Sequence, residues 1–402
     1  MRYYLIIISF ILLNTFHLNA QDTGFQFQKD SWRNIIKQAK SSGKPIFIQA
    51  MTSNCSACDE MEYTVFRDQE LSAFYNESFI LFKLDSNTKN VEKLEKMLSI
   101  NAFPTSQFVD YNGNMIHKFV GVPTNDDLVD MAKRVLANKG TLAYYKSWYN
   151  KRQLGKDELF DFAYVLLKAA EDYKPIADQY FIQVTEEHMT DAQYIDAVVL
   201  FTDDIASREF TFLLRTNGDV RSRLFSTSEI IIKIEDVISN TIISSLESSQ
   251  KEQNPKIMLD RILDKYEVRN PLLVRTRVMM DYYDFVKIDL ERYFVNLADY
   301  MNFHLDLLSA EQIGAKSQRV LDECKLKEIV EVSLMWIDRA VSIEPENKNL
   351  YRIYINLLIK NGRFGEAEDL TKKMIMLCKD QLVNPKREQE VTRKLIERAS
   401  LD

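Results

Sequence analysis

Two of the four cysteines, Cys55 and Cys58, stand three residues apart after an apolar run at 45–51 and a short polar loop. Thiols at that spacing on a helix start can close a disulfide across one turn. The first of them sits where unpaired backbone N–H groups and the helix dipole favour a thiolate. Cys55 is therefore the candidate nucleophile and Cys58 the resolving thiol. Zinc ribbons share the spacing, but a structural zinc needs about four ligands, usually as two such pairs or a cysteine pair with a histidine pair. Cys324 and Cys378 stand alone, and His17, His117, His188 and His304 are scattered. The pattern favours redox chemistry over metal binding and calls for no cofactor. Asp59, Glu60 and Glu62 read as a solvated helix face whose negative charge opposes a thiolate at Cys55. Met61 reads as core.

The elements that must position this pair follow from periodicity. Asp30 can cap a helix carrying Trp32, Ile35, Ile36 and Ala39 on one face, which Gly43 ends. Residues 45–51 form a buried strand, and the helix from Cys55 turns Met61 and Val65 inward. Asp68 opens a further helical turn with Leu71, Phe74 and Tyr75. A strand at 78–85 and a helix at 91–98 follow. A hairpin at 105–120 turns on Asn112-Gly113, which can supply the positive φ angles of a two-residue loop. A helix at 124–138 closes the module. The order is α, β, α, β, α, hairpin, α, meaning parallel strands with helical crossovers and then an antiparallel edge.

That order, with Cys55-Ser56-Ala57-Cys58 and Phe103-Pro104-Thr105, resembles the thioredoxin fold over about residues 28–138. The Lys44-Pro45 opening, Met61, Val65-Phe66 and the early Trp-bearing helix are similar to an exported bacterial branch of that family. The resemblance implies that Pro104 is a cis-proline facing the dithiol. Residue 103 would then offer its N–H and C=O to an extended substrate strand, which makes Phe103, Pro104 and Thr105 the candidate substrate-binding residues. Three departures stand out. Asn54 replaces the Trp before the first cysteine, and Ser56-Ala57 replaces Gly-Pro. Gln49 replaces a buried Asp that relays protons to the resolving thiol, and Gln cannot titrate. Slower turnover of the mixed disulfide is expected.

From Gly140 the pattern changes to amphipathic segments of nine to sixteen residues at 142–150, 157–171, 175–187 and 191–206. Segments at 228–248, 254–265 and 279–300 continue the array. Ile230-Ile231-Ile232 is β-branched enough to leave a local strand open, and 249–254 reads as a flexible joint. Near the C-terminus, Ala340 before Pro345, then Gly362, Phe364 and Ala367, resemble the tetratricopeptide helix pair, in which small residues let two helices pack closely. Thr371 stands where that family prefers an aromatic residue. The expected organisation is a signal peptide at 1–20, a thioredoxin-like α/β domain at 28–138, a helical array at 140–324 and a tetratricopeptide-like solenoid region at 325–402. Such a solenoid presents a concave face for a polypeptide; its helices could equally serve to stabilise the first domain.

The chain has 402 residues and a formal charge of −7. It carries no lysine/arginine cluster interleaved with aromatics, so nucleic-acid binding is not expected. Arg2, the apolar stretch 3–13 and the polar-to-small exit 14–20 read as a cleaved secretory signal, too short to span a bilayer comfortably. An uncleaved N-terminal anchor is the alternative, and no stable membrane span is expected after cleavage. The mature chain would then work in an exported, periplasmic compartment where disulfides persist. Together these features point to a thiol:disulfide oxidoreductase, a reductase or isomerase of protein clients, recharged by a separate redox partner. The rival reading is a helical adaptor with a thioredoxin-like docking domain and an incidental disulfide. A third, a copper-handling protein, would need extra Met or His ligands that the sequence does not place.

Overall fold

The protein is described by a computed structural model covering residues 24–53, 55–63, 65–89, 91–216, 222, 224–248, 254–378 and 384–400. The signal segment at 1–20, Asn54, most of the joint at 249–254, and the side chains of Asp59 and Glu60 lie outside the described residues. The chain forms two compact units, one ending at Tyr173 and the other beginning at Lys174.

The first unit is built on a four-stranded sheet in the order β2-β1-β3-β4. Its elements are α1 (Trp32–Ser42), β1 (Ile46–Met51), α2 (Ser56–Tyr63), α3 (Gln69–Ser78), β2 (Ile80–Asp85), α4 (Glu92–Leu98), β3 (Thr105–Val109), β4 (Met115–Val120), α5 (Asn125–Leu136), α6 (Leu142–Tyr149) and α7 (Lys156–Lys168). All six residues of β1 are buried because helices cover both faces of the sheet. Ile46, Ile48 and Ala50 meet Ile35 and Ala39 of α1 and Leu98 of α4. On the opposite face Phe47 and Met51 meet Met61 of α2, Tyr75 of α3 and Leu128 of α5. Burying one such Phe fully contributes about 1.5–3 kcal/mol.

Three local expectations need correction. Ser31, not Asp30, caps α1: it has the extended backbone a cap requires, and Asp30, one position too early, accepts from Ser31 N–H (2.6 Å) and Asn34 Nδ2 (2.8 Å) instead. The β3–β4 connection is longer than a two-residue turn. Only Gly113 has positive φ (87°), and Asp110 organises the loop by accepting from the N–H groups of Asn112 and Asn114 at 2.8 Å each. Among the named strands β1–β2 is parallel, and the antiparallel part of the sheet begins at β1–β3. Apolar alternation is blind to strand direction, so the sequence pattern could not separate these pairings.

The second unit is helical. It comprises α8 (Lys174–Gln183), α9 (Ala192–Phe201), α10 (Arg208–Thr216), α11 (Thr227–Ser248), α12 (Pro255–Tyr266) and α13 (Pro271–Asp281). A π-helical turn (Tyr282–Val286) separates these from α14 (Leu290–His304), α15 (Ala310–Glu323), α16 (Lys327–Ile343), α17 (Lys348–Lys360), α18 (Phe364–Leu377) and α19 (Pro385–Ala399). Ile230, Ile231 and Ile232 lie inside α11, where packing of Ile230, Ile234 and Ile238 overrides β propensity. From α15 to α19 each helix packs on the next, and α15 and α17 also meet their next-but-one neighbours α17 and α19. Ala340 and Ala367 are fully buried in this stack. Thr371 is buried as well: its hydroxyl donates to Ala367 O (2.8 Å) and lies 3.0 Å from Thr392 Oγ1 on α19, which accounts for a small polar residue there.

Candidate active site

The loop leaving β1 reaches Cys55 just before α2 begins. Asp85 accepts from the N–H and Nδ2 of Asn87 (2.9 and 2.7 Å), Ser53 Oγ bonds Asn87 Oδ1 (2.7 Å), and Ser86 N–H donates to Met51 O (2.9 Å). This chain of bonds ties the loop before Cys55 to the end of β2, and the Asn87 N–H holds the Asp85 carboxyl below its usual range. Asp85 and Asn87 carry no motif, so a sequence reading misses them.

Cys55 and Cys58 are joined in a disulfide, with Cα atoms 5.2 Å apart. The Cys58 N–H donates to Cys55 Sγ at 3.1 Å and to Cys55 O at 3.0 Å, as an N-terminal helical turn directs. The two sulfurs differ in access. Cys55 is half-buried at the edge of an apolar cluster, whereas Cys58 is 2% exposed within it.

Beneath α2, Gln49 is fully buried. Its Oε1 accepts from Ser106 Oγ (2.7 Å) and its Nε2 donates to Met61 Sδ (3.6 Å), so both ends are used. The position is polar and uncharged. Glu62 keeps solvent access, as a solvated helix face would, and its carboxylate also pairs with Lys83 of β2, both side chains being somewhat over one-third exposed. Lys83 lies opposite Gln49 in the β1–β2 register, which a linear sequence does not display.

The Phe103–Pro104 peptide is cis. Phe103 is half-buried and packs against both apolar clusters of the unit; Pro104 is buried and its C=O accepts from Gly121 N–H (2.9 Å). Among the described residues, the N–H and C=O of Phe103 have no hydrogen-bond partner. Thr105 is fully buried, its hydroxyl donating to Ala102 O (2.7 Å) and its backbone paired with Ala50 and Val120. Its side chain therefore shapes the loop before β3 and cannot reach outward.

Cys324 and Cys378 are free, buried thiols in the core of the second unit. Burial raises both, Cys378 up to about 11. Among the described residues no three His, Cys, Asp or Glu side chains are grouped to hold a metal ion, and no helix is long and apolar enough to cross a membrane.

Fold and cysteine pair together define the class. Residues 32–136, about a quarter of the chain, match the family model of the thioredoxin-like domain, and an all-helical region follows. Two solved structures are similar over 29% of this chain. One is the solution structure of a candidate disulphide-isomerase from Bacteroides thetaiotaomicron, with 24% identity, 96% of that chain covered and a TM-score of 0.27. The other is the DsbH oxidoreductase, with 20% identity, 88% of that chain covered and a TM-score of 0.26. No curated protein matches the chain.

Proposed function

We propose that the protein is an exported thiol:disulfide oxidoreductase that reduces or isomerises disulfides of protein clients, with its helical region holding the client. The observation that carries this reading is the unequal access of the two sulfurs: Cys55 is only half-buried at the start of α2, whereas Cys58 is 2% exposed behind it. In the dithiol form the Cys55 thiolate attacks a client disulfide, forming a mixed disulfide and releasing one client thiolate. Cys58, having lost its proton, then attacks Cys55 Sγ and releases the second client thiolate. The client disulfide gains two electrons and the Cys55/Cys58 pair loses them, and a separate dithiol partner restores the pair.

The N–H and C=O of Phe103, which have no partner among the described residues, suit main-chain pairing with an extended client segment beside the cysteines. Pro104 and Thr105 hold that loop against the sheet. The consecutive packing of α15 to α19 supports the tetratricopeptide-like reading and a client-binding role for that stack.

A Cys58→Ser variant tests the function. It retains the attacking thiol and lacks the resolving one, so client proteins should accumulate on Cys55 as mixed disulfides on non-reducing gels. Their absence, with Cys55 shown to be reduced at the start, would favour the adaptor with an incidental disulfide.

A further inference from the structure

The proposed cycle requires Cys58 to lose a proton, yet Cys58 is 2% exposed among apolar side chains, surroundings that disfavour a thiolate. Gln49, directly below α2, cannot accept a proton. Neighbouring β-strand residues in register point to the same sheet face, so Lys83, Gln49 and Ser106 form a row under α2. Successive residues of α2 lie over that row: Met61 Sδ accepts from Gln49, and the Glu62 carboxylate meets Lys83. Glu62 is four residues after Cys58, one turn along the same helix, where side chains are neighbours about 5–6 Å apart at Cβ.

We propose that Glu62, held in place by Lys83, is the proton acceptor for Cys58 during resolution of the mixed disulfide. This deepens the redox reading above and rests on it. The acceptor stands on the helix rather than on β1, and the polar, uncharged Gln49 fills the space beneath. The Cys58 S–H proton passes to the Glu62 carboxylate, the Cys58 sulfur forms its bond to Cys55 Sγ, and the bond from Cys55 to the client sulfur breaks. The client leaves as a thiolate, which takes a proton from solvent. Glu62 is 37% exposed, so it can return its proton to water and begin again. Lys83 is a positioning residue that holds the carboxylate beside β2 through their ion pair.

Among the described residues, two further titratable groups on this sheet face are engaged. Asp85, on the same face of β2, accepts from Asn87, and His117, farther along this face on β4, accepts the Leu142 N–H through Nδ1. From β1 and β3 the row offers only the neutral Gln49 and Ser106.

The test uses the full chain, reduced with dithiothreitol, freed of it, and reacted with a nitrothiobenzoate disulfide. Acid-quenched samples are read by mass spectrometry for the mixed disulfide on Cys55 and for the closed Cys55–Cys58 pair, from about pH 5 to about pH 9. Glu62→Gln should form the mixed disulfide no more slowly than wild type but close it about tenfold or more slowly near neutral pH, with the closure profile displaced to higher pH. Lys83→Met should move closure in the same direction, and Glu62→Asp should recover part of it. A Glu62→Gln protein that closes with the wild-type rate and pH profile would overturn this inference while leaving the redox reading intact. A wild-type protein that forms no mixed disulfide would overturn both.

Discussion

Ser106 Oγ donates a 2.7 Å hydrogen bond to Gln49 Oε1 between adjacent strands, below the helix that begins at the cysteine pair. Both residues are fully buried, and the opposite end of Gln49 is taken by Met61 Sδ. The bond couples β1 to β3, so the strand leading to Cys55 and the strand following Phe103-Pro104 are held in one register. Their mutual placement is a property of the sheet interior.

Gln49→Leu keeps the volume and removes the amide, leaving the buried Ser106 hydroxyl without this acceptor. A loss of about 1–3 kcal/mol is expected in urea unfolding of the full chain. Ser106→Ala in the same background should recover part of it, since both polar partners are then gone.

His117 gives the first unit a sensitivity to acid. Burial, aided by Arg134, lowers this imidazole to about 4, and its Nδ1 accepts the Leu142 N–H that opens α6. The unfolded chain takes up this proton near pH 6.5, before the folded one does. The stabilisation is therefore complete above about pH 6.5 and is lost as pH falls through about 4, amounting to about 3 kcal/mol. Acid titration of unfolding should show a smaller decline over that window for His117→Gln than for wild type.

Arg277 bridges Asp236 of α11 and Asp281 of α13 at 2.6 Å each, and Ser239 Oγ donates to the same Asp281 carboxylate (2.7 Å). Arg277→Met leaves two carboxylates drawn together with no cation between them. A loss of about 3 kcal/mol is expected, read as an earlier loss of helical circular dichroism on heating. Arg277→Lys should fall between, because an ammonium cannot bond both carboxylates with the same fork.

The cysteine pair, Gly43 as a helix stop, Asp68 as a cap and Met61 as core are all readable from sequence, since each depends on neighbours within one helical turn. Contacts across the sheet are not. The pairing of Glu62 with Lys83 depends on the β1–β2 register and on the height of α2 above it, neither of which the apolar pattern encodes. The bracing of the Cys55 loop by Asp85 and Asn87 likewise joins segments more than thirty residues apart. In the helical unit, local propensity misleads at Ile230-Ile231-Ile232, where burial decides. The continuous aromatic stretch after Met279 conceals a π-helical turn ahead of α14.

The central claim is that Cys55 is an accessible, activated thiol. It is tested most directly by the alkylation rates of individual cysteines in the reduced full chain near pH 6, with Cys324 and Cys378 as internal controls whose burial holds them protonated. The account predicts that Cys55 reacts at least about tenfold faster than Cys58, Cys324 or Cys378, with its rate already near its plateau at that pH. A Cys55 no faster than the buried thiols, or one whose rate rises only above about pH 8.5 as an ordinary cysteine's does, would contradict it.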